Sequence, residues 1–120
     1  MAILIKSPSV VKAAGTGNKV IKEYFGRVNS NTPGVSIAKM DSPQGWEEPA
    51  QTPEFNEYTV VLKGALLVRT INGEMKVNEG EALLAVAGER IQYSTPFEGG
   101  AEYLAVCLPA FSPDLVHRDQ

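Results

Sequence analysis

Turn signals recur about every ten residues through the second half of this chain, and that rhythm excludes most folds. Residues 58–62 (YTVVL) end at Lys63-Gly64. Residues 65–71 (ALLVRTI) end at Asn72-Gly73, the strongest short hairpin signal, and residues 74–77 return as the partner strand. Residues 78–81 (NEGE) turn the chain into residues 82–86, and Ala87-Gly88 turns it into residues 90–94. After a loop at 96–100, residues 101–108 (AEYLAVCL) form a last strand, stopped by Pro109 and Pro113. Short, evenly spaced strands of this kind build sandwiches and barrels. Upstream, residues 35–40 and 23–28 read as strands, and residues 9–14 as a short helix. Residues 111–113 read as a tail packed on the outside. Helical periodicity is absent elsewhere, so the fold class is all-β.

The chain has 120 residues, enough for one core, and 43% of them are hydrophobic. Its net charge of -3 argues against a nucleic-acid partner. No apolar run is long enough for a membrane helix, and the first residues lack the pattern of a signal peptide. A single cysteine, Cys107, forbids internal disulfides and suits a reducing compartment, so we expect a cytoplasmic protein. A single histidine, His117, excludes a metal site built on two histidines of one chain.

Charge is uneven. Residues 1–40 carry six basic side chains and one acid, Glu23, whereas the rest is acidic. The plain reading is a solvated lysine face on an N-terminal arm; the sharper one lays that arm on the acidic body. Glu47-Glu48 reads as a solvated loop face.

Gly45, Glu57 and Gly64, within GWEEPAQTPEFNEYTVVLKG, match the spacing of the first cupin motif. Gly80 and Gly88, in GEALLAVAGERIQYST, match that of the second. The chain therefore resembles the cupin superfamily. That implies a single-domain double-stranded β-helix, a jelly-roll barrel, over residues 35–120 with its C-terminal tail, preceded by an arm at 1–34. Residues 91–96 (IQYSTP), 103–106 and 109–111 resemble more loosely the ethanolamine-utilisation type of cupin. The resemblance also implies a homodimer.

At the positions where the family holds its metal, this chain has Gln51, Pro53, Glu57 and Ile91. Only one carboxylate and one amide remain, and neither proline nor isoleucine coordinates. We therefore expect no metal and no other cofactor.

Strand alternation puts Thr59 on the face of Glu57, and Tyr93 on the face of position 91. The expected ligand-binding set is Gln51, Glu57, Thr59 and Tyr93, with Trp46 and Glu54 at the mouth. The acids from Asp41 to Glu57 run without a basic residue, which points to a neutral or cationic small-molecule ligand. A buried Glu57 has no evident counter-charge, so its pKa should rise, unless Arg69 or Arg90 pairs with it. Cys107 reads as a buried, inert thiol, and His117 as solvated. Three functions fit: a metal-independent small-molecule-binding barrel; an isomerase, lyase or cyclase with Glu57 and Tyr93 as catalytic acid–base candidates; or an accessory subunit that binds another protein.

Overall fold

The computed structural model describes residues 1–120 and is built almost wholly of strands. In chain order these are β1 (Ser9–Val11), β2 (Val20–Phe25), β3 (Ser36–Ser42), β4 (Trp46–Glu47), β5 (Asn56–Thr70), β6 (Gly73–Asn78), β7 (Ala82–Ala85), β8 (Ile91–Thr95) and β9 (Ala101–Leu108). A single-turn helix, α1 (Pro113–Val116), follows. The sheet runs β1-β2-β3-β9-β5-β8-β4, with β6 and β7 also paired to β5, and every pairing is antiparallel.

Strand β5 organises the barrel. Its first half pairs with β7 and β9, and its second half with β6 and β8. The sequence suggested a break at Lys63-Gly64, but the chain bends there without stopping. The register with β9 shifts between Val61 and Lys63, and Gly64 adopts φ +75°. A Cβ on Gly64 would collide with the Gly100 carbonyl, so glycine lets two backbones touch at the corner.

The N-terminal segment differs from expectation. Residues 9–11 form a strand on the edge of β2, and no helix forms at 9–14. The next strand ends at Phe25, three residues early. There the buried Glu23 carboxylate accepts hydrogen bonds from the Val28 and Asn29 amides, at 2.9 and 2.7 Å, and turns the chain.

Inward positions decide where the barrel is filled. Trp46, Leu66, Val68, Ile91, Tyr93 and Tyr103 belong to the main apolar core. Along β3 and β9 the inward residues include Ser36, Ala38, Ala105 and Cys107, which are too small to fill the space between the walls. A second small cluster of Phe55, Cys107 and Val116, with Phe111 and Leu115 against it, seats the C-terminal tail. The tail is zipped to residues 50–54: Leu115 accepts from the Glu54 amide and Ala50 from the Asp119 amide.

Candidate functional site

The small side chains of β3 and β9 leave a cavity of about 300 Å³. Three carboxylates (Glu23, Glu48, Glu57) line it, together with Lys19, Arg118, Gln51, Tyr93, Tyr103 and Trp46. Gln51, Glu57 and Tyr93 thus line one space; Trp46 lines it too, but is buried in the main core and not at the mouth where the sequence placed it.

Two expected members are elsewhere. Thr59 is buried on β5 as its parity requires, but it does not line the cavity. Glu54 is exposed and hydrogen-bonds the exposed His117 on the outside, because the tail crossing residues 50–54 draws it away. Arg69 and Arg90 do not pair with Glu57: Arg69 bridges Glu74 and Glu47, and Arg90 bridges Asp119.

The cations that face Glu57 come from the flanking segments instead. Lys19 precedes β2, and its Nζ donates to the Tyr103 hydroxyl at 2.9 Å and lies 3.8 Å from the centroid of the Trp46 ring. The Trp46 indole N–H donates to the Ala14 carbonyl at 3.0 Å, and Ser42 Oγ stands 3.1 Å from the Tyr103 hydroxyl. At the other end of the chain, Arg118 reaches in from the tail, its Nε 3.6 Å from Glu48 Oε2. The sequence had the tail packed outside and Glu48 in a solvated pair. The structure turns Glu48 inward, two residues after Trp46, while Glu47 stays exposed.

Burial dominates the electrostatics. It pushes the Glu57 carboxyl up to about 7, reinforced by Glu48 and opposed by Lys19 and Arg118. Burial lowers Lys19 to about 8, against the pull of Glu48 and Glu57. Glu48 is also raised by burial, with Lys19 and Arg118 opposing. Tyr93 is pushed well up by burial and by the two carboxylates. Burial likewise pushes up the thiol of Cys107, which faces Glu57 across the β5–β9 ladder, so it is a poor nucleophile.

Three cavity-lining polar atoms are buried and have no hydrogen-bond partner: Gln51 Oε1, the Tyr93 hydroxyl and Arg118 Nε. Such atoms cost about 1–3 kcal/mol each unless something bonds them.

The residues at the metal positions do not fit a resident metal. Ile91 is packed in the apolar core, and Pro53 has no donor. Glu57 faces two cationic side chains, Lys19 and Arg118, and no three His, Cys, Asp or Glu side chains stand close enough together to hold one ion. The acidic run that suggested a neutral or cationic ligand is matched inside by Lys19 and Arg118.

No family model matches the chain. It is 39% identical over 101 residues to a protein of Myxococcus xanthus called endoribonuclease YbeY; the match covers 84% of this chain but only about a third (34%) of that protein. Among solved structures, the polyketide cyclase RemF of Streptomyces resistomycificus superposes with a TM-score of 0.77 at 14% identity, covering 100% of this chain and 85% of that one. An ethanolamine utilization protein Q from Salmonella typhimurium gives 0.67 at 18% identity, covering 87% and 97%. Oxalate decarboxylase of Bacillus subtilis gives 0.76 at 16%, covering 95% of this chain and 31% of that one. What these likenesses share with the chain is the barrel.

Proposed function

We propose that this chain, a cupin-type barrel with similarity to the ethanolamine-utilisation type, binds a small polar organic molecule in its cavity without a metal. The observation that carries the reading is the convergence on one space of Gln51 Oε1 and the Tyr93 hydroxyl, both without a partner, beside Arg118 Nε, whose one charged neighbour is Glu48. Polar groups of this kind, set among apolar walls, orient a ligand. Gln51 Oε1 accepts a hydroxyl, and Arg118 Nε donates to a carbonyl or carboxylate. The volume, about 300 Å³, suits a metabolite of modest size.

The test is stabilisation of the folded protein by a panel of small polyols, hydroxy acids and hydroxy-carbonyl compounds. A binder should raise the unfolding midpoint of the native protein, and Tyr93→Phe with Gln51→Leu should remove most of that rise. If no compound stabilises the native protein, or the rise survives both substitutions, the reading fails. Internal cleavage of RNA would replace it with the activity in the Myxococcus relative's name.

A second reading, catalysis by an isomerase, lyase or cyclase, is favoured by one observation. A carboxyl shifted to about 7 shares the cavity with an amine shifted to about 8, so both exchange protons near neutral pH. Glu57→Gln should abolish turnover while the fold and ligand stabilisation persist.

We also propose that a second copy of the chain covers the outer face of β3, β9, β5 and β7. Ile37, Val106, Tyr58 and Leu84 lie in register across those strands, with Leu104 and Val60 in the next row. Lys39, Asp41, Glu102 and Lys63 edge the patch with both signs, which suits a two-fold contact. Light scattering should give twice the chain mass, falling to one chain mass in Tyr58→Glu with Leu84→Glu.

A further inference from the structure

Lys19 sits in the cavity in an unusual way. Its Nζ bonds a phenol and faces an indole, yet it makes no ion pair with any carboxylate. A surface lysine gains little from such surroundings, because water solvates it. Here the ammonium has given up most of its water for one hydroxyl and two aromatic rings. The neutral amine is correspondingly easier to reach. Tyr103, held by Ser42, fixes the nitrogen from one side and leaves the cavity open on another.

We propose that Lys19 is a carbonyl-capturing amine, whose Nζ condenses with the carbonyl carbon of a small hydroxylated aldehyde or ketone held in the cavity. The inference rests on the small-molecule reading above and adds the ligand's reactive group. Gln51 Oε1 and the Tyr93 hydroxyl are free to bond the hydroxyls of such a molecule. Ala38, Met40, Ala105 and Trp46 give the cavity apolar walls, which favours dehydration.

The step balances within the cavity. The nitrogen lone pair bonds the carbonyl carbon, and the C=O π pair moves to oxygen. Oxygen gains a proton and nitrogen sheds one, giving a carbinolamine. Protonated Glu57 then donates to the hydroxyl, which leaves as water while the nitrogen lone pair closes C=N. The Glu57 carboxylate takes the remaining N–H proton, leaving a neutral imine. No oxidant or reductant is consumed.

The test uses the whole chain near pH 8. Glycolaldehyde, glyceraldehyde and dihydroxyacetone are each supplied with cyanoborohydride, which delivers hydride to the protonated imine and fixes it as a secondary amine. Peptide mass spectrometry compares Lys19 with the exposed Lys63 and Lys76. At least one probe should label Lys19 about tenfold or more faster than Lys63, and Glu57→Gln should slow Lys19 by a similar factor while leaving Lys63 unchanged. Labelling of Lys19 no faster than Lys63 overturns the inference. The unfolding midpoint, measured with each probe but no reductant, separates the two readings. A stabilising probe that is not captured removes the imine and keeps the pocket; a panel that neither stabilises nor labels removes both.

Discussion

Trp46 holds the N-terminal segment at two points. Its indole N–H bonds the Ala14 carbonyl at 3.0 Å, and its ring lies 3.8 Å from the Lys19 ammonium. One fully buried side chain thus fixes the position of the cavity's amine. Trp46→Phe keeps a ring face and loses the hydrogen bond, which should cost about 1 kcal/mol. Trp46→Ala also leaves a void and should cost about 3–5 kcal/mol. Urea unfolding measures both. Limited proteolysis should cut residues 12–19 faster in either variant.

Stability should depend on pH through Glu57. The folded carboxyl titrates near 7, against the ordinary 4.5, so the folded state holds the proton more tightly. That contribution is fully present below the ordinary value and is lost as pH rises through about 7. The loss is on the order of 3 kcal/mol. Glu48 acts in the same direction. Lys19 acts oppositely: its lowered value costs stability as pH falls from the ordinary 10.5 through about 8. In Glu57→Gln, the decline of the urea midpoint between pH 4.5 and 7 should shrink to the part due to Glu48.

Gly64 and Gly88 should respond differently to alanine. Both have positive φ, +75° and +88°. A Cβ at Gly88 meets nothing, so Gly88→Ala should cost only the left-handed strain of roughly 1–2 kcal/mol. At Gly64 the Gly100 carbonyl is in the way, and the cost should be clearly larger. Comparing the two midpoints checks this.

Filling the cavity should separate folding from binding. Ala105 is inward, buried and on the cavity wall. Ala105→Leu should change stability by less than about 1.5 kcal/mol, because the added methyls enter open space. It should abolish stabilisation by any ligand that protects the native protein.

The barrel was legible because its cues are local. The glycines at 45, 64, 80 and 88 mark turns or bends, and period-two alternation orients strands without further information. Gln51, Glu57, Tyr93 and Trp46 followed from that frame. Thr59 shows the limit: parity gave its burial but not whether it would reach the cavity. Glu54 was misplaced because the tail pulls it outside. Lys19 and Arg118 were missed because no local pattern reveals which segment will fold over a cavity tens of residues away. The surplus of lysines in residues 1–40 was the one hint, and it did not single out Lys19. Glu48 was within reach, since it lies two residues after the inward Trp46.

The two positive charges that face Glu57 come from segments outside β2–β9, Lys19 just before β2 and Arg118 after α1. The same frame can therefore be re-purposed by exchanging short flanking stretches, with no core residue disturbed. Evolution could change the chemistry of such a pocket without risking the fold. A fusion or affinity tag placed beside either stretch carries the reverse hazard: it could leave the barrel intact and silence the site.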